Sequence, residues 1–380
     1  MPRVIVLGAG RVGAAVARDL AAEPGVELTA VDSRQNALDA VSESREGSAI
    51  RTVRADVSDP ATVAELAQRQ DLAVGAVPGP MGFRTLRALI TARVPTVDIS
   101  FFEEDPFQLH ELARDHGVPA IVDAGVAPGL SNLILGHHEA RLEETRRFEC
   151  LVGGIPAEPT PPWEYKAPFS PIDVIAEYIR PARFRRDGQD VILPALAETE
   201  ELELDGAGRV EAFLTDGLRT ILRTSKAPDL IEKTVRWPGH ADRIRVLRES
   251  GFLDPEPREV TGQRVAPLDL TSALLFDAWL YEPGEPDLTV MRVMVTGMDE
   301  RGPVIHSYHL LDRYDPDNGI SSMARTTGYT AAALARLVLD GRVNEPGIAP
   351  PETLAAADGV LDFVLAHLRE REIRITHSRA

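Results

Sequence analysis

Val4-Ile5-Val6-Leu7-Gly8-Ala9-Gly10-Arg11-Val12-Gly13 decides the fold, because an apolar run breaks directly into the pattern G-x-G-x-x-G. Each glycine meets a separate demand. Gly8 lets the strand turn tightly, Gly10 lets backbone approach a pyrophosphate, and Gly13 lets the next helix pack closely on the sheet. Residues 14–20 place alanine, valine and leucine at helical spacing. A helix entered through Arg11 and Val12 therefore aims its N–H groups and positive dipole end at phosphates. Alone, the glycine pattern has low specificity. A second β-branched run, residues 26–31, ends in Asp32, nineteen residues past Gly13, where a carboxylate meets a ribose 2′-OH. Together these features predict an α/β fold with a Rossmann doubly wound parallel sheet that binds NAD.

Asp32 sets the expected cofactor preference. A 2′-phosphate about 4 Å away would be repelled by roughly 4 kcal/mol at an effective dielectric near 20, and by about 2 to 3 kcal/mol in an open crevice. That is roughly tenfold to hundredfold in favour of NAD(H). Arg34 is the competing feature, since an arginine there can turn in and pair with a phosphate. The acid is expected to win, being fixed at a strand end while the arginine begins a solvated helix.

The chain has 380 residues, too many for one ordinary core, and its 44% hydrophobic content supports two domains. The net charge of −18, with no Lys/Arg stripe, makes nucleic acid and anionic membranes poor partners. Cys150 is the sole cysteine, which excludes an internal disulfide and fits a reducing compartment. Met1-Pro2-Arg3 leads straight into the first strand, and no apolar run approaches the roughly 20 residues of a membrane span. A cytoplasmic protein is expected.

Strand and helix alternate through residue 124. A helix is expected over residues 33–43 and a strand over 50–54 that ends near Asp56 and Val57. There Asp56 either bonds an adenine amino group or caps a helix over residues 60–68, while Val57 packs the ring. The apolar run 72–77 ends at Val77 and passes into Pro78-Gly79-Pro80, a loop suited to lie against nicotinamide. At Gly125 the alternation stops. Residues 125–320 then read as an inserted α/β domain, with antiparallel hairpins around Asp187-Gly188, Asp205-Gly206 and Arg301-Gly302. Ser170-Pro171-Ile172-Asp173 marks a helix start, and helices over 240–249 and 268–281 should cover one sheet face. From 321 to 380 the pattern is helical, at 331–339 and 352–368, and these helices are expected to pack back on the first domain.

Several long strings resemble the saccharopine dehydrogenase superfamily, in particular its L-lysine 6-dehydrogenase-like branch. They are Val97-Asp98-Ile99-Ser100-Phe101, Asp123-Ala124-Gly125-Val126-Ala127-Pro128-Gly129-Leu130-Ser131-Asn132, Val152-Gly153-Gly154-Ile155-Pro156, Tyr165-Lys166, Ser170-Pro171, Arg180-Pro181-Ala182-Arg183, Thr215-Asp216-Gly217-Leu218-Arg219 and Arg236-Trp237-Pro238-Gly239-His240. The resemblance spans the chain. It implies a Rossmann domain with C-terminal helices folded back, and a central α/β domain supplying the substrate pocket and much of the subunit contact. The implied chemistry is NAD-dependent oxidation of the L-lysine ε-amine to 2-aminoadipate 6-semialdehyde and ammonia. The superfamily also holds saccharopine and polyamine-type reductases, and the fold equally suits a non-catalytic NAD(H) sensor.

Oxidising a C–N bond needs a neutral amine, a hydride path, a proton acceptor and water. An amino acid substrate adds a cation for its carboxylate and an acid for its ammonium. Arg180, Arg183, Arg219 and Arg236 are candidate carboxylate clamps, and Lys166 is a candidate proton acceptor if burial lowers its pKa, with a surface charge as the alternative. Glu104, Asp98 and Asp123 follow strand ends on the cofactor side, with helix capping as the rival role. His240 opens a helix as an acid/base or as a turn element, and Tyr165, Trp163 and Trp237 are pocket walls or plain core. No metal site follows from His306 and His309 or from His137-His138. Uncovered faces and edges of the long hairpins predict a homo-oligomer, at least a dimer.

Overall fold

The computed structural model describes residues 1–42 and 50–380. The chain opens with β1 (Arg3–Leu7), α1 (Arg11–Ala21), β2 (Glu27–Asp32), α2 (Gln35–Ser42), β3 (Arg51–Arg54), α3 (Pro60–Ala67), β4 (Leu72–Gly75) and α4 (Gly79–Thr91). It continues through β5 (Thr96–Asp98), a 3-10 turn (Pro106–Leu109), α5 (His110–His116), β6 (Pro119–Ile121) and α6 (Leu130–Glu139). Next come β7 (Glu144–Pro156), α7 (Pro171–Ile179), β8 (Ala182–Arg186), β9 (Gln189–Leu193), β10 (Glu200–Leu204), β11 (Gly208–Leu214), α8 (Ile221–Thr224) and β12 (Asp229–Arg236). Then follow α9 (His240–Glu249), β13 (Arg258–Val260), β14 (Gln263–Val265), α10 (Pro267–Ala278), β15 (Asp287–Asp299) and β16 (Gly302–Arg313). The last elements are α11 (Ser322–Leu339), β17 (Gly347–Ala349), α12 (Pro351–Leu354), α13 (Val360–Glu370) and β18 (Ile375–Arg379). No helix among the described residues is long and apolar enough to cross a membrane.

Two compact units result. The first comprises Met1–Leu142, Arg219–Ser225 and Ala324–Ile373; the second comprises Glu143–Leu218, Lys226–Met323 and Arg374–Ala380. The division falls after residue 142 rather than 124, so α6 belongs with the first unit, which also takes the short excursion at Arg219.

The first unit holds seven parallel strands in the order β17-β6-β5-β4-β1-β2-β3. Its central strands β1 and β4 are near-continuous buried apolar runs, as in a parallel sheet covered on both faces, whereas the edge strand β3 is Arg51-Thr52-Val53-Arg54. Ile5, Leu7, Val31, Val63, Ala73 and Leu89 pack in one core, and Leu86, Ile90, Phe102, Leu109, Ala120 and Val122 in another. The strand order reverses between β1 and β4, and a crevice at such a switch point opens at the carboxyl ends of the strands.

The C-terminal segment packs on this sheet by close helix contact. A Cβ at Gly328 of α11 would lie 3.0 Å from the Ala15 Cβ of α1. Against the expectation of helices alone over 321–380, Gly347–Ala349 adds β17 beside β6, and Ile375–Arg379 forms β18, which pairs with β16 in the second unit. Three residues between prolines give too short a run for alternation to register. The helix expected over 352–368 is interrupted over residues 355–359 into α12 and α13, and Gly359, with a φ of 76°, is the N-cap of α13. Near the start, α2 begins at Gln35 rather than residue 33, and its expected last residue, Glu43, lies outside the described residues.

The second unit is built on a mixed nine-stranded sheet. Its main path is β10-β11-β12-β7-β15-β16-β18, with β8 paired to β12 and β9 to β8. The three expected hairpins appear as the antiparallel pairs β8/β9, β10/β11 and β15/β16. Helices α7, α9 and α10 cover one face through Val174, Ile175, Tyr178, Ala241, Ile244, Leu275 and Trp279 packed with Phe213 of the sheet. Pro171 takes the first helical position of α7, but the Ser170 side chain makes no capping bond.

Candidate active site

In the first unit the glycine loop is shaped as its sequence demands. A Cβ at Gly8 would meet the Ala76 carbonyl oxygen at 2.3 Å, and Gly8 also has a φ of 98°. A Cβ at Gly13 would lie 1.9 Å from the Gly8 carbonyl oxygen, so α1 can start this close only with glycine there. Gly10 differs. The nearest atom to a Cβ at Gly10 is an Arg34 guanidinium nitrogen 3.9 Å away, so its outer side is open space over the start of α1. That cradle, at a helix N-terminus bounded by Arg11 and Val12, fits a pyrophosphate.

Asp32 ends β2 beside this loop, buried. Its Oδ2 accepts the Ala9 N–H at 2.9 Å and its Oδ1 accepts the Arg34 N–H at 2.9 Å and Nε at 3.2 Å. Burial pushes the carboxyl up, but the Arg34 side-chain and backbone bonds and the Ala9 N–H outweigh it and hold Asp32 below the usual carboxylate range. Arg34 therefore does turn in. Its partner is the buried Asp32 carboxylate two residues back, while 64% of the Arg34 side chain stays exposed, as expected of a residue at a solvated helix start.

Farther along the crevice, Val57 and Val77 are buried in the apolar cluster under the loop. Asp56 is exposed and accepts the Ser58 N–H; the cap of α3 is instead Asp59, which accepts from Ala61 and Thr62. Pro78 and Gly79 do not form a loop, for Pro78 is the cap and Gly79 the first residue of α4.

At the ends of β5 and β6 the structure brings together Asp98, Ser100, Asp123 and Arg219. The Arg219 Nε donates to Asp123 Oδ1 at 2.6 Å, and its Nη1 donates to the Phe102 carbonyl. Its guanidinium also lies over the Phe101 and Phe102 rings, 4.8 and 5.0 Å from their centroids. Asp123 and Arg219 both have positive φ, 53° and 47°, the kind of backbone strain that clusters at functional sites. Asp98 is buried, with Oδ1 accepting the Ser100 N–H at 2.6 Å. Burial pushes Asp98 up to about 7 and the nearby Asp123 charge adds to this, against the Ser100 bonds and Arg219. Asp98 Oδ2, Ser100 Oγ and Arg219 Nη2 are buried without a well-formed hydrogen bond, although the Ser100 hydroxyl stands close enough to Asp98 to help stabilise its charge. Buried polar atoms are normally satisfied, so this set of acceptor, hydroxyl and cation is built for a ligand. Ser100 carries no signal of its own in sequence beyond its place after a strand end. Glu104 is exposed in the following loop.

The remaining candidates lie in the second unit. Lys166 Nζ donates to Glu285 and sits 5.8 Å from the centroid of the Tyr281 ring, so an ion pair and an aromatic face hold it in place. His240 is fully buried, its Nδ1 bonded to the Trp163 carbonyl at 2.8 Å and its Nε2 to the Tyr178 hydroxyl at 2.9 Å. Burial and then the Arg236 charge push it down to about 3, so the ring is neutral and its role is structural, not acid/base. Arg236 is not a surface clamp. It is buried, donates to Glu177 Oε2 at 2.9 Å and Tyr178 Oη at 3.1 Å, and lies 4.5 Å from the Tyr165 ring centroid. Arg180 ends α7 near Glu177, and Arg183 makes a two-pronged pair with Asp216. Tyr165 packs edge-on to Trp279 in the helical layer, and Trp237 is buried with its Nε1 bonded to the Pro156 carbonyl.

Residues 4–121 match the family model described as Saccharopine dehydrogenase NADP binding domain, and residues 125–373 match Saccharopine dehydrogenase C-terminal domain. The chain is similar to mouse alpha-aminoadipic semialdehyde synthase, mitochondrial, at 22% identity over 96% of its own length and 47% of that protein. It thus spans about half the length of this relative. Against the Schizosaccharomyces pombe saccharopine dehydrogenase [NADP(+), L-glutamate-forming] it is 22% identical over 82% of the chain and 86% of the relative. The fold matches apo saccharopine dehydrogenase (L-Glu forming) from Saccharomyces cerevisiae with a TM-score of 0.78, 19% identity and full coverage of both chains. With both family models together spanning nearly all of a chain whose glycine loop is shaped for a dinucleotide, the protein belongs to the saccharopine dehydrogenase family.

Proposed function

We propose that the chain is a dehydrogenase that oxidises the ε-amine of L-lysine, or of a close ω-amino analogue, to 2-aminoadipate 6-semialdehyde with release of ammonia. The observation that carries this reading is the set of buried atoms without a well-formed hydrogen bond on Asp98, Ser100 and Arg219 beside the glycine loop, matched in kind to the carboxylate and ammonium of an amino acid. NAD is the proposed cofactor, and it supplies the hydride acceptor when bound. Gly8, Gly10 and Gly13 would hold its pyrophosphate, and Asp32 its ribose.

The protein's own task is to present a neutral amine and to deal with its charge. Arg219, held by Asp123 and Phe102, keeps a guanidinium nitrogen for a carboxylate. Asp98 has a proton affinity near neutrality, in the range suited to accept and return a proton. As the amine carbon loses a hydride the nitrogen becomes an imine, and addition of water with loss of ammonia gives the aldehyde.

A second reading, oxidation of saccharopine, is favoured by the activity named for the fungal relatives. NADH formation with lysine, ornithine, saccharopine and diamines across alkaline pH separates the readings. Turnover of saccharopine alone selects the second, and cofactor binding with no turnover on any of them selects a sensor. A homo-oligomer, at least a dimer, is part of the same proposal. The outer edge of β16 is already covered by β18, so support comes instead from Leu270 and Leu274, exposed one turn apart on α10.

A further inference from the structure

Residues 219–225 interrupt the second unit's run of sequence and belong to the first unit. They form α8, four residues long, and a helix that short has no stability of its own. Arg219 stands just ahead of it with a φ of 47°, a backbone state that persists only where the surroundings impose it. The front of the segment is held by Asp123, which accepts from Arg219 Nε at 2.6 Å and, more weakly, from the Thr220 hydroxyl at 3.4 Å. The rear is held by a residue far along the chain, for Thr224 Oγ1 donates to Glu352 Oε1 at 2.8 Å. The next hydroxyl, on Ser225, donates to Glu139 at 2.9 Å.

Glu352 also reaches the Asp123 side of the pair. Its Oε2 accepts Asn132 Nδ2 at 3.0 Å, and Asn132 Oδ1 accepts the Gly129 N–H at 3.1 Å. Gly129 closes the turn that follows Asp123. The Gly125 N–H donates to the Pro128 carbonyl at 3.0 Å and the Leu130 N–H to the Gly125 carbonyl at 2.9 Å, and a Cβ on Gly129 would lie 1.8 Å from the Gly125 oxygen, so the turn has no slack. The contacts close a ring. Arg219 meets Asp123 directly, and the two are joined again by way of Thr224, Glu352, Asn132 and Gly129. Glu352 is 5% exposed, and burial pushes its carboxyl up against the bonds from Asn132 and Thr224, both neutral. An apolar side chain would be less costly to bury there, but it could not bind two elements at once.

We propose that Glu352 is a positioning residue for Arg219: by tying α8 to the turn after Asp123, it keeps the guanidinium on Asp123 and the Phe102 carbonyl, with Nη2 left for a substrate carboxylate. This rests on the reading of Arg219 as the carboxylate clamp. Glu352 itself touches no substrate group and acts through the arginine.

Two measurements on the full chain test it, and the first needs no substrate. By hydrogen exchange with mass spectrometry, the amides of residues 223–225, which donate to the Thr220 and Ile221 carbonyls, should exchange at least about tenfold faster in Glu352→Ala than in the parent, with α1 unchanged. Steady-state kinetics read the consequence. Glu352→Ala should raise KM for the amine substrate about tenfold with kcat within about threefold, and leave the NADH dissociation constant within about twofold. In an Arg219→Met background the same change should move KM by less than about twofold, since a residue acting through the arginine then has nothing left to position. Glu352→Gln, which keeps a hydrogen-bonding side chain of the same shape, should recover most of the loss. If Glu352→Ala melts early, Thr224→Val, which removes one hydroxyl, should show the same coupling with an about threefold rise in KM. Exchange unchanged in Glu352→Ala, or a KM effect that adds in full to that of Arg219→Met, overturns the assignment. Faster exchange of α8 in Glu352→Ala, from a parent that turns over no amine, would keep Glu352 as the residue that positions α8 and remove the dehydrogenase reading.

Discussion

The Arg34 guanidinium is paired to Asp32 at 3.2 Å, at the point where β2 reaches the ribose end of the crevice. The pair makes that corner nearly neutral, so the charge repulsion that would exclude a 2′-phosphate is partly cancelled. NAD(H) should still be preferred, because Asp32 is buried and ionised while most of the Arg34 side chain, 64%, is exposed. The preference should be less than about tenfold in kcat/KM. Arg34→Ala should raise it to roughly tenfold to hundredfold by penalising NADP alone, and Asp32→Ser should invert it. Unchanged NADP efficiency in Arg34→Ala would mean that the arginine does not face the phosphate position.

In the proposed reading Arg219 supplies the cation for the substrate carboxylate, so Arg219→Met should lower kcat/KM for the amine substrate by about tenfold to hundredfold, mostly through KM. The dissociation constant for NADH, read by fluorescence, should stay within about twofold of the parent. Asp123→Asn should reproduce part of the loss by freeing the guanidinium from its 2.6 Å tether. Equal losses in nucleotide binding would point to collapse of the strained turn instead.

Asp98 makes stability depend on pH in a defined direction. Its folded value, about 7, is raised above the ordinary 3.8, so the folded protein binds the proton more tightly than the unfolded chain. The associated stability is complete below the unfolded value and is lost as pH rises through about 7. Asp98→Asn, neutral throughout, should match the parent near pH 4 and exceed it at pH 8 by up to about 4 kcal/mol. Urea unfolding at the two values checks this, and a gap that does not grow with pH contradicts it.

The glycine loop was legible from sequence because Gly8 and Gly13 sit where a Cβ would clash and Gly10 leaves room for a phosphate, and Asp32 because a fixed spacing from Gly13 carries it toward the ribose position. Asp98, Asp123 and Arg219 were reachable as candidates but not as a set, since 96 positions separate Asp123 from Arg219 and only folding joins them. Lys166 and His240 read like chemistry in a motif string, yet an ion pair and a closed hydrogen-bond chain occupy them.

Exposed leucines on α10 give the oligomer proposal a specific test. Leu270 and Leu274 are 55% and 64% exposed, an apolar pair that a lone chain would leave in water. Light scattering at micromolar concentration should return a multiple of 41.4 kDa, and Leu274→Glu should shift it downward. A mass near one chain for the parent removes the proposal.

Asp19 of α1 joins elements from opposite ends of the first unit, and its charge should be needed for their docking. Its carboxylate meets Arg336 of α11 at 2.7 Å, His367 of α13 at 3.3 Å and the Arg371 guanidinium. Burial pushes Asp19 up, but the His367 bond and the Arg336 and Arg371 charges outweigh it and bring it down to about 2 from the ordinary 3.8. A folded value below the unfolded one means stability that is present above about 3.8 and is lost as pH falls through about 2. That difference corresponds to about 2 kcal/mol, and removing the carboxylate also leaves two guanidiniums poorly compensated. Asp19→Asn should therefore cost about 3 kcal/mol at pH 7, measured by urea unfolding. The gap between variant and parent should narrow steadily below pH 4, because the parent's own carboxylate is then being protonated. A gap that stayed constant down to pH 2 would show that shape, not charge, holds α1 to the C-terminal helices.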